Sequence, residues 1–210
     1  TLPINKKAWE TAGVQYVGHT DALGDMFGEK GIMMLGCEKL FVALYSDHVP
    51  LASVVELIRA EPIAKFLQKF YTASGFERIG VLGFNPHAGD EGVLGSEENE
   101  IKSAIEAANK QVGKEVFFGP LVPDTAFTES ARGNYDAYVA MYHDQGLAPL
   151  KALYFDESIN VTLGLPIIRT SPDHGTAYDK AYKNEASTKS YENAVKEAVR
   201  LVTKDKKSFK

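Results

Sequence analysis

Cysteine is nearly absent from this sequence. Cys37 is the only one in 210 residues, which excludes an internal disulfide framework, fits a reducing compartment, and points to a buried, inert thiol. Long apolar runs are missing too: none approaches the roughly 20 residues needed to span a bilayer, and no secretory leader is visible. The cytoplasm is therefore the expected location. An excess of positive charge is also lacking. With 23 Lys and Arg against 28 Asp and Glu, the formal charge of -5 offers no general attraction to nucleic acid or an anionic membrane. Any phosphate must then be recognised locally, and the partner is expected to be small. There is no internal repeat or low-complexity tract, no His-x-x-x-His metal signature, and no Gly-x-Gly-x-x-Gly after a strand, so the common dinucleotide fingerprint is excluded. The chain opens on Thr1 rather than Met, and a truncated or trimmed sequence is expected.

What is present is an ordinary globular pattern, 44% hydrophobic and 24% charged, long enough to bury a substantial core. Strand and helix signals alternate. The sequence predicts a helix over Lys6 to Ala12 closed by Gly13, a loop over Tyr16 to Asp21, and strands over Gly31 to Leu35 and Leu40 to Ser46. Leu51, Val54, Val55 and Ile58 recur at helical spacing behind Pro50, with Pro62 either breaking the pattern or beginning a second helix. A strand over Arg78 to Phe84 runs into the polar, Gly-rich stretch Asn85 to Gly92. Ser96 is the expected cap of the next helix, whose apolar stripe is Ile101, Ala104, Ile105 and Ala108. Glu97, Glu98 and Glu100 are expected to stand solvated in its first turns, where the helix dipole favours them. A strand over Glu115 to Phe118 leads into a loop from Gly119 to Thr125 made rigid by two prolines. A last strand covers Asp136 to Tyr142. Tyr191, Ala194, Val195, Ala198 and Val202 outline a final amphipathic helix, followed by a basic, frayed tail from Lys204 to Lys210. The alternation implies a mainly parallel sheet covered on both faces.

The chemistry concentrates in the histidines and in the stretch from Tyr138 to Ala177. His48, His87 and His143 each stand just beyond a predicted strand, and in a parallel sheet strand ends of one sense meet at one rim. Three neutral imidazoles with positions left open suit a catalytic Zn²⁺ or a similar divalent ion; satisfied or surface histidines are the alternative. Asp124 and Asp144 are candidates to orient a ligand or move a proton, or else are turn and capping residues. Lys151, Asn160 and Arg169 are donors to an anion: a mobile point charge, a neutral orienting amide and a fixed fork. His19 and Thr20 add two neutral hydrogen-bonding groups beside Gly18, on a motif that by itself also reads as a surface turn.

Taken together, GHTD, DHVPL, NPHAGDEG, GPLVPDT, MYHDQGLAPLK, INVTLGLPIIRTS and DHGTA resemble, in order and in spacing, the signatures of the 4-hydroxythreonine-4-phosphate dehydrogenase family of pyridoxal phosphate biosynthesis. The likeness covers almost the whole chain. It implies an α/β fold similar to isocitrate and isopropylmalate dehydrogenases, an α/β/α sandwich in two domains, with the active site in the cleft between them and shared across a homodimer. On that basis residues 1–145 are mainly the second, dimerisation and metal-binding domain. Residues 146–210 return to the first, cofactor-side domain, whose N-terminal portion is absent. The resemblance implies that His48, His87 and His143 bind the divalent metal, Zn or else Mg or Co. It implies that His19, Thr20, Lys151, Asn160 and Arg169 bind the phosphorylated substrate. Asp124 and Asp144 are candidates for proton handling. His174, Gly175, Thr176 and Ala177 resemble the loop by which related decarboxylating dehydrogenases hold adenosine, so part of an NAD or NADP site is expected there. The implied reaction is the metal-dependent oxidation of 4-phosphooxy-L-threonine by NAD, followed by decarboxylation. A metal-dependent lyase or phosphatase acting on a small phosphorylated substrate, and a fragment that only binds or dimerises, remain open alternatives.

Overall fold

The fold is a mixed α/β arrangement, seen in a computed structural model that describes residues 1–16 and 18–208. Within the expected tail, residues 209 and 210 lie outside the described residues, as does Val17 in the expected loop. In chain order the first elements are α1 (Lys6–Thr11), α2 (His19–Phe27), β1 (Ile32–Cys37), β2 (Leu40–Leu44), α3 (Leu51–Leu57), α4 (Ala60–Ser74) and β3 (Ile79–Leu82). Then follow α5 (Glu98–Val112), β4 (Phe117–Leu121), α6 (Glu129–Arg132), β5 (Ala137–Ala140), α7 (His143–Tyr154), β6 (Ile159–Leu163), β7 (Arg169–Pro172) and α8 (Lys189–Ser208). Two compact units result, one of residues 1–37 with the segment from Tyr154 onward, the other Glu38–Leu153.

The Glu38–Leu153 unit carries four strands in the order β4-β3-β5-β2, and every pairing among them is parallel. Parallel strands need long crossovers, and here each crossover contains a helix. Leu40–Leu44, Ile79–Leu82 and Ala137–Ala140 are buried at every position, as central strands covered on both faces must be. α4 buries Ile63, Ala64, Leu67, Phe70 and Ser74 at spacings of one, three and four residues, a single helical face. α5 buries Ile101, Ala104, Ile105 and Ala108 in the same way, the stripe expected of it. Pro62 sits in the first turn of α4, so it begins a second helix rather than breaking the first. Of the stripe expected on α3, Val54 and Ile58 are buried, but Leu51 and Val55 are 64% and 41% exposed. α5 starts at Glu98 with Glu97 in the cap position, which corrects Ser96.

The other unit departs from the parallel expectation. β1 pairs β6 antiparallel, and β6 pairs β7 antiparallel. Only five residues, 164–168, join β6 to β7, enough for a hairpin and far too few for a crossover. α2 begins at His19 and so takes up the second half of the expected loop, His19 to Asp21. Its weak signal has a cause: Gly18 and Gly28 flank, and Gly24 interrupts, a helix that buries no residue. α8 extends through Ser208, so the expected tail is helical over its first part. Its buried residues are Ser190, Ala194, Glu197 and Leu201, while Tyr191, Val195 and Val202 are exposed. Cys37 is buried. No helix among the described residues is long and apolar enough to cross a membrane.

Candidate functional site

The carboxyl ends of β3, β5 and β2 lie side by side, and each hands the chain to a histidine: His87, His143 and His48. Beyond the regular ladder Tyr45 N–H donates to Ala140 O at 2.9 Å, and the Ser46 hydroxyl donates to Met141 O at 2.7 Å. These bonds carry β2 and β5 side by side to their histidines. As a result the His48 and His143 rings stand 5.8 Å apart, tilted by 39°. His143 Nδ1–H donates to Asp144 Oδ1 at 2.7 Å, which leaves the Nε2 lone pair available to a metal. Gln145, buried beneath them, accepts from Met141 N–H at 2.7 Å through Oε1 and donates from Nε2 to Gly83 O at 2.6 Å. It thereby ties the end of β5 to the end of β3. The sequence offered only its place in His-Asp-Gln-Gly as a signal, and Gln145 was missed.

His87 stands on a left-handed turn, with His87, Ala88, Asp90 and Glu91 all at positive φ. Such a conformation costs roughly 1–2 kcal/mol per residue for side chains beyond glycine. Among the described residues no group of three or more His, Cys, Asp or Glu is arranged to hold a metal ion. The donor chemistry nevertheless fits a divalent ion in part: two adjacent imidazoles, one with its tautomer set by a carboxylate, and a third imidazole on the neighbouring strand end. Asp124 is exposed beyond β4, on the same rim, and Lys151 is half-buried on α7.

A correction concerns the acidic start of α5. Glu98 is buried, at 8% exposure, and Phe84 N–H and Asn85 N–H donate to its Oε1 at 2.9 and 2.6 Å. Glu97 accepts from Asn85 Nδ2 at 2.8 Å, and Glu100 from Ala60 N–H at 2.7 Å. Glu97 and Glu98 brace the loop after β3 and Glu100 takes the first N–H of α4, because N–H groups in loops and at helix starts need acceptors.

The second cluster lies in the other unit, around Arg169. This side chain is 8% exposed, and burial lowers its pKa from the ordinary arginine value; it remains charged. One guanidinium nitrogen donates to Thr162 Oγ1 at 2.8 Å and to Thr20 Oγ1 at 3.3 Å. Arg169 Nε has no hydrogen-bond partner, and neither has Asn160 Oδ1. Asn160 and Thr162 alternate along β6, so they share a face, and Thr162 stands opposite Arg169 in the β6–β7 register. Thr162 in turn is seated by Gly31, where a Cβ would come within 2.6 Å of the threonine methyl. With the methyl lodged there, the hydroxyl is left for Arg169. The sequence missed Thr162, since threonine in Ile-Asn-Val-Thr-Leu reads simply as a strand former. His19 and Thr20 open α2, not a loop. Trp9 packs edge-on to the His19 ring at 5.1 Å. Partial burial, and then the Arg169 charge, hold the His19 pKa below the ordinary 6.5, favouring the neutral imidazole.

The segment from His174 to Ala177 is anchored through Asp173. Ser158 Oγ donates to its carboxylate at 2.8 Å, and its N–H donates to Ser190 Oγ at 3.1 Å. His174 and Gly175 are exposed, with His174 Nδ1–H donating to Gly175 O at 2.8 Å. A short 3-10 turn, Tyr178–Lys180, follows.

Comparison with known proteins places the chain in a family. The family model described as pyridoxal phosphate biosynthetic protein PdxA matches residues 1–198. A 4-hydroxythreonine-4-phosphate dehydrogenase of Campylobacter fetus is 63% identical over 202 residues, and one of Sulfurimonas denitrificans is 58% identical over 201. Each alignment covers 96% of this chain, and the chain spans 66% of each relative, just under two thirds. The crystal structure of the Klebsiella pneumoniae 4-hydroxythreonine-4-phosphate dehydrogenase superposes with a TM-score of 0.78 at 39% identity, over 95% of this chain and 62% of that one. The dehydrogenase-like α/β fold is thus shared.

Proposed function

The chain belongs to the PdxA family of pyridoxal phosphate biosynthetic proteins, and from that premise we propose that it serves the NAD-dependent, divalent-metal-dependent oxidation of 4-phosphooxy-L-threonine. The product, 2-amino-3-oxo-4-phosphooxybutanoate, decarboxylates to 3-amino-2-oxopropyl phosphate. The observation that carries this reading is the Arg169 cluster. A buried guanidinium is costly unless an anion or several acceptors meet it. Among the described residues no carboxylate pairs with Arg169, and its Nε is left as a donor. A phosphate or carboxylate of a small substrate satisfies that group, and a hydroxyl or ammonium of the same molecule would satisfy Asn160 Oδ1.

The roles follow from the chemistry of each side chain. Arg169 and Lys151 bind the anionic groups, one as a fixed fork and the other as a mobile charge. Asn160, Thr20 and a neutral His19 orient the substrate by hydrogen bonds. His48, His87 and His143 would hold a divalent ion, Zn, Mg or Co, with Asp144 setting the His143 tautomer. His174, Gly175, Thr176 and Ala177 would line part of the NAD or NADP site. When bound, the ion would acidify the substrate hydroxyl and stabilise the carbanion left by CO₂, and the nicotinamide would accept hydride. Asp124 or Asp144 takes the hydroxyl proton, being a carboxylate on the histidine rim. The family resemblance adds a homodimer in which two copies share the site.

The test is spectrophotometric. With 4-phosphooxy-L-threonine, NAD and Zn²⁺, reduced nicotinamide should accumulate, and Arg169→Met should lower kcat/KM by at least 100-fold, about 2.7 kcal/mol of transition-state stabilisation. Release of inorganic phosphate or cleavage of substrate without nicotinamide reduction would instead establish the phosphatase or lyase reading.

A further inference from the structure

Between β3 and α5 the backbone adopts a path that most of its residues resist. His87, Ala88, Gly89, Asp90 and Glu91 follow one another at φ values of 53°, 50°, 79°, 45° and 54°. Four of these five carry a Cβ pressed towards its own carbonyl. A turn of this kind persists only where its surroundings hold it. Its own backbone bonds are few: Ala88 N–H donates to Asn85 O at 3.1 Å, Val93 N–H to Asp90 O at 3.1 Å and Leu94 N–H to Gly89 O at 3.0 Å.

Two carboxylates supply side-chain restraint: Glu97 Oε2 accepts from Asn85 Nδ2 at 2.8 Å, and Glu98 takes the backbone as well. Glu98 Oε1 accepts from the N–H groups of Phe84 and Asn85, and Oε2 accepts from Asn85 Nδ2 at 2.9 Å. The same Oε2 would lie 2.6 Å from a Cβ on Gly89, so only glycine fits against it there. Glu98 therefore holds the chain two residues before His87 and packs against it two residues after. Its donors are N–H groups of this loop, and among the described residues no cation pairs with it. A buried carboxylate is unfavourable unless fully hydrogen-bonded. Nothing about helix formation calls for one here, since an exposed glutamate would serve the helix dipole as well.

We propose that Glu98 is a positioning residue for His87, fixing the direction in which the left-handed turn presents that imidazole to the rim shared with His48 and His143. Divalent-metal affinity then depends on a side chain that touches no metal. The proposal rests on the reading of those three histidines as the metal-binding set. Glu98→Ala releases the Phe84 and Asn85 N–H groups and the contact at Gly89, leaving Asn85 held only through its side chain by Glu97. Glu98→Gln keeps the acceptor for Phe84 and Asn85 and loses only the bond from Asn85 Nδ2, which its own amide cannot accept.

The experiment is calorimetric titration of the 210-residue chain with Zn²⁺, repeated with Co²⁺ followed by its visible absorption. Glu98→Ala should weaken Zn²⁺ binding roughly 10- to 100-fold, the range typical for groups that orient metal ligands. Glu98→Gln should weaken it less and shift the Co²⁺ spectrum. The affinity for inorganic phosphate, held by Arg169 in the other unit, should be unchanged in both, which a general loss of folding would not allow. If Glu98→Ala does not fold, the glutamine variant decides the matter alone. Wild-type Zn²⁺ affinity in the Glu98 variants, alongside a weakened His87→Ala, overturns the proposal. Wild-type affinity in His87→Ala instead sinks the metal reading itself.

Discussion

Thr162 illustrates how a residue with no chemistry of its own can govern one that has. Its hydroxyl accepts from the Arg169 guanidinium at 2.8 Å, and its methyl fills the space that Gly31 leaves. Thr162→Val keeps the shape and removes the acceptor, so the buried guanidinium loses a partner. That should cost about 1–3 kcal/mol of folding stability, the usual penalty for orphaning a buried polar group. Thr162→Ser should recover most of it. Urea unfolding and phosphate titration of the two variants give the check: equal behaviour of valine and serine would show that the hydroxyl does not position Arg169. At this scale the sequence was legible wherever a residue type has few ordinary uses. Arg169 and Asn160 stood out as donors to an anion, and His48, His87 and His143 because each follows a strand end. Thr162, Gln145 and Glu98 did not, because their types are common in strands and helix starts. Their partners lie 7, 62 and 14 residues away, and only folding reveals such pairs.

At the scale of elements, periodicity predicted existence better than orientation. α5 matched its expected stripe because that helix packs against both α4 and β4. α3 did not: Val54 and Val55 belonged to the same expected face, yet Val54 is 1% exposed and Val55 41%. In a helix of 7 residues a shift of one position moves the face by about 100°, and nothing in so short a stretch fixes it. The distinction can be measured. Val54→Ala should lower stability by about 1.5–3 kcal/mol, the value of a fully buried valine. Val55→Ala should fall within about 0.5 kcal/mol of the unaltered chain. Equal urea midpoints for the two would place the face where the sequence alone put it. α8 was displaced for another reason. Its buried face includes Ser190, whose hydroxyl donates to Ser158 O at 2.6 Å and accepts from Asp173 N–H. A hydrophobic stripe cannot reveal a face that is partly polar.

For the whole molecule, the two candidate groups of residues fall in different compact units. The histidine rim belongs to Glu38–Leu153, and the Arg169 cluster to the other unit. Strand order made the first legible: three histidines after three parallel strands must share an edge. The antiparallel β1-β6-β7 set was not legible, because β7 is Arg-Thr-Ser-Pro, with no apolar pattern to mark a strand, and β6 carries Asn160 and Thr162 among its apolar residues. Two ligands of opposite charge should therefore stabilise the chain through different residues. A ligand present at 100 times its Kd and bound only by the folded state adds about 2.7 kcal/mol. Zn²⁺ at that excess should raise the thermal unfolding midpoint of the 210-residue chain, and a chelator should reverse the rise. Inorganic phosphate should raise it independently. His143→Ala should abolish the Zn²⁺ shift and keep the phosphate shift, and Arg169→Met should do the converse. Loss of both shifts in either variant would mean that the two groups of residues form one interdependent site within this chain. Loss of neither would remove both groups from ligand binding and with them the basis for an enzymatic role.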